Sequence, residues 1–198
     1  WFLVQFGADT VEEVEDVSQR FCRWLIRKKG YEKDRITVYK SREAGGDTET
    51  LWKLREAGLG ATAFPPDNRD HWPGWEDSAV PPSKVGDYVR DLRRLYKKYG
   101  LRGAMYGHLG QGCIHSRISF DLRHADGVRR YRSFLDEASD LVVSYGGSLS
   151  GEHGDGQQRA EFLRKQYGPE ILEAMREFKR IWDPDGKMNP GKVIDPYP

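Results

Sequence analysis

Three of the five histidines in this chain stand in two glycine-rich segments. The first segment is Gly107-His108-Leu109-Gly110-Gln111-Gly112-Cys113-Ile114-His115, and the second is Ser150-Gly151-Glu152-His153-Gly154-Asp155-Gly156. Glycine permits positive φ and close backbone approach, so loops of this kind at strand ends leave room for a ligand. Two imidazoles with a carboxylate from a separate loop form a donor set suited to a first-row transition metal. His108 and His115 are the candidate imidazole ligands and Glu152 the candidate carboxylate. His153 is left as a base, because neighbours in an extended segment point apart. The spacing of His108 and His115 is not specific by itself, and the pair reads equally as hydrogen-bonded turn residues.

Alternation along residues 113–120 places Ile114, Ser116, Ile118 and Phe120 on one face and Cys113, His115, Arg117 and Ser119 on the other. The first set is apolar enough to be the core face. His115 and Arg117 are then expected to point together away from the core, with His108 folding back toward them. Arg55, in the helical stretch Leu51-Trp52-Lys53-Leu54-Arg55, is either a snorkelling or salt-bridged side chain or a planar fork for a carboxylate. His71 reads as packing or solvated, and His124 as a surface residue at a helix start.

The elements that must hold these groups follow from periodicity. Residues 1–8 read as a buried strand. A helix over 9–29 is capped by Asp9 or Thr10 and stopped by Gly30, and its stripe Val14, Val17, Phe21, Trp24 and Leu25 is expected to face a sheet. Residues 36–39 read as a strand and 48–57 as a short helix, with a Gly-, Pro- and Trp-rich irregular stretch over 58–75. Ala79 and Val80 suit a strand. Helices are expected over 83–99, 127–145, 157–165 and 169–182, strands over 101–106 and 113–120, and an extended tail. This alternation predicts an α+β fold: antiparallel sheet with helices on one face, built from ferredoxin-like units, with sub-units at 1–80 and 81–198.

Composition narrows the function. Lys+Arg 32 against Asp+Glu 31 in 198 residues leaves a formal charge of +1, which is no nucleic-acid footprint. No apolar run reaches the roughly 20 residues that cross a bilayer, and there is no signal-peptide pattern. Cys22 and Cys113 stand far apart with no CxxC motif, so a reducing compartment and no cluster or thiolate zinc site are expected. GHLGQG is not the dinucleotide-binding order, and no phosphate-binding GK[ST] occurs. Trp1 at the first position suggests a piece of a longer protein.

GHLGQGCIH, SGEHGDG and DPDGKMNPGKV, in this order, resemble the C-terminal domain of FAD-linked oxidases, the flavin dehydrogenases of 2-hydroxy acids such as D-lactate, glycolate and D-2-hydroxyglutarate. The resemblance runs from LWKLRE to the NPGKV tail, closest to the branch fused to an iron–sulfur segment. It implies a substrate-binding cap domain of two ferredoxin-like units, with FAD held mainly by a separate N-terminal domain. It further implies His108, His115 and Glu152 as ligands of a divalent zinc, manganese or iron, and His153 as catalytic base. Arg55 matches a grip on the substrate carboxylate, and Asn189 matches a segment close to the flavin. Arg117 is a candidate second grip. Gln111 and Cys113 depart from the Asp and Asn of many relatives.

These parts imply oxidation of a 2-hydroxy acid to a 2-oxo acid. The partners expected are the FAD-binding domain and an iron–sulfur segment of the same polypeptide, with no nucleic acid. The location expected is cytoplasmic, or peripheral to the inner face of the membrane. The isolated chain is expected to be inactive. The alternative reading is a non-catalytic ferredoxin-like module that binds a small molecule.

Overall fold

The computed structural model describes residues 2–39, 47–66 and 69–197, which form two compact units, Trp1–Arg55 and Glu56–Pro198. In the first unit, α1 spans Val11–Lys29. Thr10 starts it with a capping box: its hydroxyl accepts from the Glu13 N–H at 3.2 Å, and the Glu13 carboxylate accepts from the Thr10 N–H at 3.3 Å. Gly30, at φ 71°, ends it in the left-handed conformation. Helix α2, Asp47–Glu56, closes the unit.

The strands expected at 1–8 and 36–39 do not form: residues 2–8 and 36–39 are irregular, and Phe2 and Val4 are exposed. A strand is held by the ladder of a neighbour, and neither segment has one among the described residues. The apolar stripe of α1 accordingly meets no sheet there. Phe21 packs instead against Phe6 and Trp24, with ring centroids 5.4 and 5.9 Å apart.

The second unit carries α3 (Gly58–Ala63), β1 (Ser78–Ala79), α4 (Val85–Lys98), β2 (Gly103–Tyr106), β3 (Cys113–Ile118), α5 (Ala125–Ser144), α6 (Leu163–Gln166) and α7 (Pro169–Trp182). The strands make an antiparallel sheet in the order β1-β3-β2, with Ala79 opposite Cys113 and Tyr106 opposite His115. Single bridges extend it, from Trp72 to Ile118 and from Ala79 to Ser148. The fold is therefore α+β with antiparallel sheet, as expected. A second sheet, which a pair of ferredoxin-like units requires, is not found among the described residues.

Ile114, Ile118 and Phe120 form the core face of the sheet. Against them pack Tyr88, Leu92 and Tyr96 of α4 and Phe134, Ala138 and Val142 of α5, with Phe162 and Leu163 closing one end. Trp75 is fully buried among these and donates from its indole N–H to the Tyr88 hydroxyl at 3.2 Å. That hydroxyl donates in turn to Ser78 Oγ at 2.8 Å, which ties β1 to α4. No helix among the described residues is long and apolar enough to cross a membrane.

Candidate metal centre and base

The register of β2 and β3 sets the site. His115 stands on β3, and the turn from β2 carries His108 just before a short 3-10 segment, Leu109–Gln111. Gly112 closes this turn at φ 84°, where a Cβ would lie 1.9 Å from the Val80 carbonyl oxygen. Only glycine lets the turn press that closely on the end of β1. Residues 148–153 then run along the far side of β3, and Gly151 lies so near that a Cβ would touch Cys113 Sγ at 3.0 Å.

The face of β3 bearing Cys113 and His115 lies opposite the core, and the second glycine segment covers it: both side chains are buried, 6% and 5% exposed. Arg117, two residues on, is only partly covered.

Three of the candidate groups converge on Glu152. Its carboxylate lies 2.9 Å from His115 Nε2, 3.8 Å from His108 Nε2 and 3.6 Å from His153 Nε2. Donors bound about 2.0–2.1 Å from one tetrahedral zinc stand roughly 3.3 Å apart. The separations of the His115 and His108 nitrogens from the Glu152 carboxylate, 2.9 and 3.8 Å, bracket that spacing. The donor set of two imidazoles and one carboxylate suits a divalent transition metal in chemistry; among the described residues, the ligand atoms that lie within 4.8 Å of one another are those of Asp77, Cys113, His115 and Glu152 and those of Glu76, His115 and His153, and His108 meets them through Glu152. His153 stacks on His115 with centroids 4.9 Å apart and planes 7° off parallel. It remains half exposed, so a bound molecule can reach it.

Asp77 was not legible as a site residue, yet it underpins this centre. Its carboxylate accepts from the Glu152 N–H at 3.0 Å, the His153 N–H at 2.7 Å, the Cys113 thiol at 3.2 Å and the Ser150 hydroxyl. Burial pushes the Asp77 carboxyl up. The hydrogen bonds from Ser150, from the His153 and Glu152 backbone and from Cys113 outweigh that and bring it down to about 2. Burial, with the neighbouring Asp77 charge, pushes the Cys113 thiol up to about 12. Cys113 thus stands within reach of Asp77, His115 and Glu152, a possible ligand set of its own, but as a protonated donor to Asp77.

Glu76 and Tyr106 were likewise missed. The Tyr106 hydroxyl donates to Glu76 at 2.9 Å, and the other Glu76 oxygen is 3.8 Å from the Arg117 guanidinium. Arg117 therefore sits beside the cluster, sharing its charge with Glu76. No motif marks Trp75-Glu76-Asp77, which runs from the end of the stretch read as irregular to the start of β1. The one available signal was an acidic pair directly ahead of a strand.

Arg55 lies on α2 in the other unit, its guanidinium 5.7 Å from the centroid of the Trp52 ring. Asn189 lies in the tail at φ 47° and lines a groove with Gly156, Phe178, Met188 and Lys192. The tail is joined to the second glycine segment by the Val193 N–H, which donates to the Gly156 carbonyl at 2.9 Å. His71 is buried with Nδ1 3.2 Å from the Arg117 carbonyl, and exposed His124 pairs with Asp121 at 2.9 Å.

The family model for the C-terminal domain of FAD linked oxidases matches residues 1–193. The D-2-hydroxyglutarate dehydrogenase of Haemophilus influenzae is 30% identical over 194 residues, 98% of this chain and 19% of that protein. The enzyme of the same name from Escherichia coli is 32% identical over 195 residues, again 98% of this chain and 19% of that protein. The D-lactate dehydrogenase of Archaeoglobus fulgidus is 37% identical over 118 residues, 60% of this chain and 26% of that protein.

Proposed function

The chain belongs to the family of FAD-linked oxidase C-terminal domains, and from that premise we propose that it is the substrate-binding cap of an FAD-dependent dehydrogenase converting a 2-hydroxy acid to a 2-oxo acid. It spans 19% of the length of its D-2-hydroxyglutarate dehydrogenase relatives. The activity therefore belongs to a longer protein, with an FAD-binding domain supplied by the same polypeptide. The observation that carries the reading is the meeting of His108, His115 and His153 on the single carboxylate of Glu152.

His108, His115 and Glu152 would hold the metal through Nε2, Nε2 and a carboxylate oxygen. When bound, the metal supplies a Lewis acid that eases loss of the hydroxyl proton, and FAD supplies the two-electron acceptor for the Cα hydride. His153 takes the hydroxyl proton at an imidazole nitrogen, the role of a general base within reach of the substrate. Burial keeps His115 fixed, whereas the half-exposed His153 faces incoming substrate. Arg117 would share its guanidinium with the substrate carboxylate as the second grip, a role supported by its partial exposure and its 3.8 Å separation from Glu76. Arg55 is proposed as the first grip on that carboxylate and Asn189 as a contact near the flavin.

The test is anaerobic reduction of the flavin in the full-length protein by D-2-hydroxyglutarate, D-lactate and glycolate. One of these should bleach the flavin, and His153→Ala should slow the bleaching by about 100-fold or more. A flavin that none of them reduces, or bleaching indifferent to His153→Ala, would sink the proposal.

A further inference from the structure

Asp77 is spent on an unusual task for a buried carboxylate: among the described residues it contacts no lysine or arginine, and it collects donors from Cys113 and from the segment that follows Ser148. It is 2% exposed and sits at φ 75°, a conformation that non-glycine residues adopt at a cost. The backbone around it is held from the other side. Buried Arg159 donates to the Gly74 carbonyl at 3.1 Å and the Glu76 carbonyl at 2.8 Å, and lies 4.8 Å from the centroid of the Trp75 ring.

A second observation concerns His115. Its Nε2 faces Glu152, while its Nδ1 is buried, has no hydrogen-bond partner among the described residues and lies 4.0 Å from Asp77 Oδ1. A metal-ligating imidazole generally gives its remote N–H to a carboxylate, a carbonyl or a water, which fixes tautomer and ring orientation. Here the group facing the remote nitrogen is the same carboxylate that accepts from the backbone of Glu152 and His153.

We propose that Asp77 is the positioning residue of the centre: it receives the Nδ1–H of His115, leaving Nε2 free to ligate, and by its other hydrogen bonds sets Glu152 and His153 against that ring. One side chain thereby registers a ligand on β3 with a ligand and a base on the separate glycine segment. Cys113 contributes as an S–H donor to the same carboxylate and not as a ligand. The inference rests on the metal reading given above and goes beyond it in assigning Asp77 and Cys113.

The experiment uses the full-length protein stripped of metal and titrated with zinc against a chromophoric chelator. Asp77→Asn suits the left-handed backbone but cannot accept from all these donors. It should weaken zinc binding by about 10- to 100-fold. Cys113→Ser keeps a donor and should bind within about threefold of wild type. Cobalt in place of zinc should show displaced visible bands in Asp77→Asn and unchanged bands in Cys113→Ser. Independently of any variant at Asp77, ¹⁵N-histidine spectra of the zinc-loaded wild type should show His115 protonated at Nδ1, the signal being assigned by its loss in His115→Gln.

Unchanged zinc affinity in a folded Asp77→Asn protein, or a His115 protonated at Nε2 in the loaded state, would overturn the inference while leaving the metal reading in place. A Cys113→Ser loss as large as that of His115→Ala would overturn it in favour of thiolate ligation. Failure of the wild type to bind zinc, cobalt or manganese would instead remove the metal reading, and this inference with it.

Discussion

Helices α1 and α5 make an instructive pair. Both are long, both have an apolar stripe at helical spacing, and each is entered from an extended residue. α1 has the better start, a complete capping box, whereas His124 before α5 makes no side-chain cap. Yet α5 buries Phe134, Leu135, Ala138 and Val142, and α1 buries nothing among the described residues. Local sequence decides that a helix exists and which face is apolar. What covers the face is decided by segments far along the chain, and α5 has its cover in α4 and the sheet.

That contrast can be tested by truncating one aromatic on each helix. Phe134 is fully buried against Tyr96, Tyr99 and Phe120, so Phe134→Ala should cost about 3–5 kcal/mol, by lost transfer energy and an uncollapsed cavity. Phe21, half-buried on α1, should cost less than about 1 kcal/mol on the same change. Both are read from urea unfolding of the protein. Equal losses would mean that α1 is covered as thoroughly as α5.

A smaller effect is expected inside the core, where Tyr88 links Trp75 to Ser78. Tyr88→Phe preserves the ring but strands the indole N–H and the serine hydroxyl, for a loss of about 1–3 kcal/mol. Retained stability would show that the pair finds other partners.

Acid should expose Asp77 in the same assay. Its carboxyl titrates near 2 in the folded chain against about 3.9 when unfolded. A depressed group stabilises fully above its unfolded value, and the contribution is lost as pH falls through the folded one. Wild-type stability should therefore drop more steeply than that of Asp77→Asn between about pH 4 and pH 2. Asp183 and Glu137, also held below their ordinary values by Lys179 and Lys98, act equally in both proteins. Parallel curves would show that the Asp77 hydrogen bonds do not survive in solution.

The legible part of the molecule was the part written in local pattern. Helices over 11–29, 85–98, 125–144 and 169–182 follow from spacing and stop signals. The glycine segments marked His108, His115, Glu152 and His153 as candidates with a turn reading still open, and the structure brings the four together. The alternation of β3 correctly put Ile114 and Ile118 in the core. It also put His115 on the opposite face, away from that core, but could not say what covers that face, because its burial depends on residues 148–153 arriving from outside the strand. The strands expected at 1–8 and 36–39 failed for a related reason: an apolar run has strand propensity but carries no record of a partner. Asp77 was hidden more deeply. Its importance lies in four donors spread from Cys113 to His153 and in one imidazole across the sheet, and no spacing in the sequence encodes that convergence.

The smallest expected effect bears on α1 alone. Thr10→Ala removes the hydroxyl that accepts from the Glu13 N–H, and replacing such a cap costs about 1 kcal/mol. If α1 opens by itself, hydrogen exchange of its amides should quicken by roughly fivefold, since 1.4 kcal/mol is about a factor of ten. Amides of α5 should not change. Were the α5 amides to quicken in step, α1 and α5 would unfold as one cooperative unit. The apolar stripe of Phe21, Trp24 and Leu25 would then be coupled to the core despite its exposure, and the contrast between the two helices would be one of area buried rather than of independence.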